Sequence, residues 1–307
     1  MYYIHKIASI THQDSFNQTD VNDSLVEITE DAVLISPDYK KYILPASLRR
    51  LSPILRMAVA AAKECQEAIT IPFEAISVGT ALGCLTDTEK FLNVINTVEG
   101  EILSPTAFIQ STHNTIAGLI SLELKNHSYN MTHTQNNLSL EMALIDSMLC
   151  CDEGKDFVLL GVADEAIDFL NKLKPIVLPE NSIVTSGTTF FALSKKKSKS
   201  EIGFKACRSI IKAKDIEVEI DLFLRELKIE INEIDRIYTN QNSLDYHKEM
   251  VVNYEAYSGL YFTANAFGVH LAHDWLIKEA KKYALIVNSG CNNSLGLILL
   301  KNDKAQN

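Results

Sequence analysis

Cysteine, serine and histidine are the side chains through which this sequence could do nucleophilic chemistry. A cysteine nucleophile needs a depressed pKa, which a helix N-terminus or a neighbouring cation supplies. The six cysteines are Cys65, Cys84, Cys150, Cys151, Cys207 and Cys291. They form no C-x-x-C pair, and their spacing suits neither a zinc site nor a small disulfide framework, so neither a metal nor a cofactor is expected. Cys150 and Cys151 fall near the far end of a helix predicted over 138–150, where the helix dipole disfavours a thiolate. Cys84 stands just past a strand end, and Cys291 lies in Gly290-Cys291-Asn292-Asn293. Ser139, at the head of the 138–150 helix, is a candidate hydroxyl nucleophile. His113 and His133 near the same turn would complete a hydrolase-like dyad. Helix capping also accounts for a serine at that place, without any chemistry.

The elements that must position these groups follow from hydrophobic spacing. A strand is predicted over 3–10, followed by a polar loop. Ser52 is placed to cap a helix with Pro53 at its first position, and Leu51, Ile54, Leu55, Ala58, Val59 and Ala62 repeat at helical spacing. The β-branched apolar run 75–83 reads as a buried strand ending in glycine. Thr86 and Glu89 form a capping-box pair ahead of Phe91, Leu92, Val94, Ile95 and Val98. Helices over 115–124 and 138–150 then alternate with strands over 129–134 and 157–161. Pro175 and Pro179 bracket an irregular stretch before a strand over 182–193. After the lysine run 195–199, the second part is predicted as helix 220–227, strands 234–239 and 259–263, helix 271–282, and strands 284–289 and 294–301. Such alternation favours a largely parallel sheet with helices on its faces.

Composition narrows the function classes. With 47% hydrophobic and 22% charged residues in 307, the chain is expected to fold around a substantial core. Lysine and arginine number 29 against 39 acidic residues, a net charge of −10 that disfavours a phosphate-tracking surface or an anionic membrane face. No run approaches the roughly 20 apolar residues of a spanning helix, and the start Met1-Tyr2-Tyr3-Ile4-His5-Lys6 is unlike a signal peptide, so a cytoplasmic location is expected. The one dense basic run, Lys195-Lys196-Lys197-Ser198-Lys199, reads as a solvated loop.

Six segments, taken in order, resemble the condensing-enzyme (thiolase-like) superfamily. The nearest branch is the ketosynthase-type chain-length factors of aryl-polyene and flexirubin-like pathways. The segments are Leu48-Arg49-Arg50-Leu51-Ser52; Gly79-Thr80-Ala81-Leu82-Gly83-Cys84-Leu85-Thr86-Asp87-Thr88; Pro105-Thr106-Ala107-Phe108-Ile109-Gln110-Ser111-Thr112-His113-Asn114; Ser139-Leu140-Glu141-Met142-Ala143-Leu144; Gly161-Val162-Ala163-Asp164-Glu165; and Tyr283-Ala284-Leu285-Ile286-Val287-Asn288-Ser289-Gly290. The resemblance implies an α/β, five-layered αβαβα core built from two similar halves, about 1–180 and 181–307, in a single domain over 1–307. It also implies dimerisation through a strand and helix of the first half.

A condensing ketosynthase carries a cysteine at the start of a buried helix and two histidines facing it. Carried over onto this sequence, the cysteine position falls at Asn136 or Asn137, the first histidine at Asn240, and the second has a counterpart in His270. An amide cannot form the acyl thioester that such catalysis requires. The resemblance therefore implies a non-catalytic subunit that forms a heterodimer with an active ketosynthase, meets acyl carrier protein only indirectly, and shapes the acyl tunnel. Phe108, Ile109 and Gln110, together with Met131, His133 and Gln135, are the expected interface and tunnel-wall residues. The alternative is an independent acyltransferase or hydrolase of the same fold, using Ser139 or Cys291.

Overall fold

A computed structural model of the chain describes residues 1–97, 105–178, 182–241, 244 and 250–305, the side chains of 175, 177 and 291 excepted. Val98 and Pro179 of the predicted elements lie outside the described residues. The first half runs β1 (Tyr2–Ile10), α1 (Pro45–Leu48), α2 (Pro53–Glu67), β2 (Ala75–Gly79), α3 (Leu85–Thr97), α4 (Pro105–Gln110), α5 (Thr115–Glu123), β3 (Tyr129–His133), α6 (Ser139–Asp152), β4 (Val158–Asp164), α7 (Asp168–Val177) and β5 (Gly187–Ser194). The second runs β6 (Ile202–Ile210), α8 (Ile216–Glu226), β7 (Arg236–Thr239), β8 (Val251–Asn253), α9 (Glu255–Ser258), α10 (Asn265–Lys278), β9 (Tyr283–Gly290) and β10 (Ser294–Asn302).

The ten strands hydrogen-bond in the order β3-β2-β4-β5-β1-β6-β10-β9-β7-β8. Read outward from the β1/β6 junction, each half repeats one order: first, fifth, fourth, second and third strand. The repeat therefore divides within 195–201, at the lysine run. β5 closes the first half, whereas a boundary near 180 would have assigned it to the second. The sheet is also less parallel than expected. Only β3-β2-β4 and β9-β7-β8 run parallel, and the pairs between β4 and β9 are antiparallel. The strands of the two halves join where β1 pairs with β6 at two positions, Tyr2 with Phe204 and Tyr3 with Gly203. Gly203 permits that approach, because a Cβ there would lie 2.4 Å from the Tyr2 carbonyl oxygen.

Strand alternation sorts the core into layers. Leu160, Val162, Phe191 and Leu193 of the first half, with Ala284, Ile286, Ile298 and Leu300 of the second, face a central layer that holds α6 and α10. Their neighbours Leu159, Ala163, Phe190 and Ala192 face outward onto α2 and α5, and Leu285, Val287, Leu297 and Leu299 face α8. The result is the expected five-layered αβαβα arrangement. A side chain at Gly161 would place its Cβ 1.9 Å from the Phe190 ring, so only glycine lets that phenyl lie flat on β4.

Three local expectations are corrected. The helix expected over 271–282 begins at Asn265, six residues earlier. Clamped between two sheets, it is buried nearly all round and has no polar face to reveal its period. The strand expected over 259–263 is a turn entering that helix, with Gly259 at φ 66 and a single bridge from Val184 to Leu260. The Thr86/Glu89 capping box does not form. Glu165 instead accepts from both Thr86 N and Thr86 Oγ1, each at 2.9 Å, and so holds the start of α3 from the end of β4. Among the described residues no helix is long and apolar enough to cross a membrane.

Candidate functional site

A cavity of 620 Å³ opens between the halves, at the C-terminal ends of β7 and β9 and the N-terminal turns of α6 and α10. Strand ends of this kind are where open α/β sheets bind ligands. Gln135, Asn136, Asn137 and Leu138 line it from the turn before α6; Asn240 and Gln241 follow β7; Tyr254, Glu255, Leu260, Tyr261 and Phe262 precede α10; and Asn288, Ser289 and Gly290 end β9.

The turn into α6 is tightly determined. Asn136 takes the left-handed backbone conformation, φ 50, which asparagine tolerates better than most residues, and its side chain is exposed. Asn137 is buried. Its Oδ1 accepts from Ser294 Oγ at 2.7 Å and its carbonyl accepts from Asn288 Nδ2 at 2.7 Å. Gly290 makes room for it, since a Cβ there would lie 2.2 Å from the Asn137 side chain. Gln135 N donates to Ser139 Oγ at 2.9 Å, and that hydroxyl lies 2.7 Å from the Asn136 carbonyl and 3.1 Å from that of Thr80. Ser139 is fully buried, does not line the cavity, and works as a staple of the turn. It is not placed as a nucleophile.

Opposite the turn, Asn240 is clipped to the end of β9. Its Nδ2 donates to the Ser289 carbonyl at 2.7 Å, and Ser289 N donates back to Oδ1 at 2.9 Å. Asn136, Asn137 and Asn240 thus share one cavity. His270 does not join them. It lies in the second turn of α10, buried, with Nδ1 2.8 Å from Ser9 Oγ and Nε2 3.5 Å from Asp274 Oδ2. Burial drives its pKa down to about 4, against the opposing pull of Asp274. It is a neutral core imidazole tying α10 to β1. The rings that line the cavity ahead of α10 are Tyr254, Tyr261 and Phe262.

The remaining candidates divide by location. His133, on the edge strand β3, sits 3.1 Å from Asp146 Oδ2, and Asp146 also accepts from Ser77 and Tyr129. His113 packs against Gly83. Neither touches Ser139, so no dyad forms. Phe108 and Ile109 are exposed on α4 and Met131 on β3, while Gln110 Nε2 donates to the Arg50 carbonyl at 3.4 Å. Only Gln135 of this group lines the cavity. Burial pushes the thiols of Cys65, Cys84 and Cys207 well up, and that of Cys151 to about 12. The backbone of Cys291 lies in a 3-10 turn, and its side chain is outside the described ones.

Two carboxyls that the sequence reading passed over belong to this region. Glu255 lines the cavity, and burial holds its pKa up to about 7 against the hydrogen bond from Asn240. Behind the wall, Glu141 is completely buried. Its Oε1 accepts from Asn265 Nδ2 at 2.8 Å and Asn288 Nδ2 at 3.1 Å, and burial raises its pKa to about 7. The signal available for both was a glutamate inside an otherwise apolar segment. Among the described residues no group of three His, Cys, Asp or Glu could hold a metal ion.

Residues 33–172 match the family model described as Beta-ketoacyl synthase, N-terminal domain. No curated protein matches the sequence. Solved structures match over nearly the whole chain. The ishigamide ketosynthase/chain length factor superposes with a TM-score of 0.78 at 11% identity, covering 98% of this chain and 99% of that one. The ketosynthase ApeO in complex with its chain length factor ApeC, from Xenorhabdus doucetiae, gives 0.63 at 14% with the same coverage, 98% and 99%. The AntDE:AntF assembly, a type II PKS acyl-carrier protein in complex with its ketosynthase bound to the hexaketide, gives 0.76 at 14%, again covering 98% and 99%. Residues 33–172 are thus similar to the N-terminal domain of β-ketoacyl synthases, and over its whole length the chain has the fold of these ketosynthase and chain length factor structures.

Proposed function

We propose that this chain is a non-catalytic chain-length-factor subunit, cytoplasmic, that pairs with an active ketosynthase and shapes the acyl tunnel in a type II fatty-acid- or polyketide-like pathway. One observation carries the reading. The turn that enters the central helix α6 keeps a left-handed residue at the cavity wall, but that residue is Asn136, with Asn137 and Asn240 beside it. A carboxamide cannot be acylated to a thioester. The chain alone should therefore remain unmodified after incubation with acyl-loaded carrier protein. Intact-mass measurement checks this, and a stoichiometric adduct would overturn the non-catalytic reading. The alternative of a hydroxyl nucleophile loses support from the burial of Ser139.

Partnership is supported by the outer edge of the first half. β3 is an edge strand with α5 packed against it, and α3, α4 and α5 expose Leu92, Ile95, Phe108, Ile109 and Leu122, as β3 exposes Met131. An apolar face next to an open strand edge fits a stable partner. The lysine run is a poor carrier-docking patch, because Lys195, Lys196 and Lys197 pair with Asp152, Asp156 and Glu201 at 2.7, 2.7 and 2.5 Å. Carrier docking then falls chiefly on the ketosynthase. Co-expression with its cognate catalytic ketosynthase should yield a one-to-one complex by native mass spectrometry. In that complex Ile109→Trp should leave assembly intact and shorten the longest product by overpacking the tunnel wall. Unchanged product length from an assembled complex would remove Ile109 from the tunnel.

A further inference from the structure

A second crevice, of about 370 Å³, lies at the opposite end of the sheet from the cavity. It opens where β1 leaves β6. There Gly203 pairs with Lys301 and Lys301 with Tyr283, the first residue of β9, whereas the cavity borders the last. The volume suits a small ligand. His5 and Lys6 line it from β1, Ser198, Lys199 and Ser200 from the loop after β5, and Ala68 from the end of α2. The register of β1 on β5 slips between Ile4 and Lys6, which leaves His5 as the extra residue of a bulge, a device that re-aims side chains. His5 and Lys6 consequently both face the α2 side: His5 packs edge-on against Phe157, and Lys6 pairs with Glu64 of α2 at 2.9 Å.

Each group keeps a defined hydrogen-bonding capacity. Ser198 Oγ accepts from Glu201 N at 3.2 Å and Ser200 Oγ from Ile202 N at 3.4 Å, and the two hydroxyls lie 3.1 Å apart. One of their two protons bridges them, and the other is free to donate. His5 Nε2 lies 2.9 Å from the Lys196 carbonyl, which only an N–H can satisfy, so the neutral ring keeps its lone pair on Nδ1. Burial lowers the pKa of His5 and favours that neutral form. Lys195, Lys196 and Lys197 are spent on carboxylates, but Lys199 has no carboxylate partner among the described residues. Nor has Lys304, whose ammonium donates to the Lys199 carbonyl. The C-terminal end of α2 at Ala68 presents the negative end of a helix dipole, a smaller term than one charge-assisted hydrogen bond.

An ammonium and a hydroxyl donor suit a tetrahedral oxyanion. The Nδ1 lone pair adds a condition, because it repels a bare anionic oxygen and accepts from an O–H. Sulfate has no such hydrogen. Hydrogen phosphate has one on phosphorus, and a polyol phosphate has its alcohols.

We propose that this crevice is a binding site for a phosphate-type anion that brings a hydroxyl group, held by Lys199 and the Ser198 and Ser200 hydroxyls and selected by His5. The inference does not rest on the chain-length-factor reading. It is tested on the full chain alone, whereas partnership is read from assembly, so either can fail without the other.

Isothermal titration calorimetry at pH 8 and low salt should show hydrogen phosphate binding at least tenfold more tightly than sulfate. Glycerol phosphate is the third probe: tighter binding than hydrogen phosphate makes the ligand an ester, and weaker binding makes it the free anion. His5→Phe keeps a ring against Phe157 and removes Nδ1. It should bring hydrogen phosphate within twofold of sulfate and leave sulfate binding unchanged. Lys199→Gln should weaken both anions about tenfold. That side chain is exposed and makes no hydrogen bond within the described residues, so this variant carries the test should His5→Phe not fold. Sulfate bound as tightly as hydrogen phosphate, no binding of hydrogen phosphate at millimolar concentration, or a folded variant that binds both anions like the parent would each overturn the proposal.

Discussion

Asp164→Ala is expected to destabilise the folded chain by about 3–5 kcal/mol, measured as a fall in the urea midpoint at unchanged slope. Asp164 ends β4 and is 1% exposed. Its Oδ1 accepts from Thr80 Oγ1 and Ala81 N, both at 2.9 Å, and from Leu82 N at 3.1 Å, while Oδ2 accepts from Thr263 Oγ1 at 2.9 Å. One carboxylate therefore holds the loop after β2 in the first half and the turn into α10 in the second. Alanine leaves the two backbone N–H groups buried without a partner, about 1–3 kcal/mol each, whereas the threonine hydroxyls can rotate to other acceptors. The effect should reach the cavity. The Thr80 carbonyl is one of the groups that fix Ser139, and Thr263 directly follows the lining residue Phe262. Asp164→Asn keeps one acceptor oxygen and the side-chain volume, and should cost less than half as much. An alanine variant within 1 kcal/mol of the parent would show that the two halves are not pinned here.

How much of this was legible in the sequence depended on whether an element has two different faces. β1, α2, β2, β3 and β9 were readable to within a few residues, α2 from Ser52-Pro53 and the helical spacing that follows, the strands from short β-branched or apolar runs bounded by turn residues. α10 was not. Buried between two sheets from Asn265 to Leu276, with one intermediate position, it carries small and aromatic residues on every side, so its start was placed six residues late and Gly259 to Thr263 was taken for a strand. That error carried His270 with it. His270, expected at the head of that helix, lies in its second turn and does not line the cavity. Asn136, Asn137 and Asn240 were placed from the order of segments along the chain, and they do line one cavity. The capping pair Thr86 and Glu89 illustrates a different limit: local spacing proposed a partner, but a residue 79 positions away, Glu165, supplies the acceptor. Glu141 showed in the sequence only as a glutamate within an apolar helix, because the asparagines that engage its carboxyl come from β9 and α10.

Glu141 also controls how stability should depend on pH. Its Oε1 is fully engaged by Asn265 and Asn288, but Oε2 has no partner, and Asn265 Oδ1 is buried without one too. A proton on Oε2 gives this pair the donor it lacks, which fits a carboxyl whose pKa burial raises from 4.5 to about 7. Gly296 leaves no slack for an alternative, since a Cβ there would lie 1.9 Å from Oε1. With the folded-state pKa above the unfolded one, the folded chain binds more protons between these values. The stabilisation is complete below pH 4.5, is lost progressively as pH rises to about 7, and changes no further above it. The span corresponds to about 3 kcal/mol. Glu141→Gln puts an uncharged amide in the same volume, with an N–H where the acid proton would be, and removes this titration. The difference in unfolding free energy between Glu141→Gln and the parent, followed by urea titration from pH 4.5 to 8, should therefore move in favour of the glutamine protein as pH rises, then level off above pH 7. Comparing the two proteins cancels the opposing contributions of Asp146 and Asp274, whose carboxyls are held below their usual range by His133 and Ser77 and by His273 and His270. A difference that stays flat across the whole range would mean that Glu141 is ionised in the folded protein, and that the buried network satisfies its second oxygen in some other way.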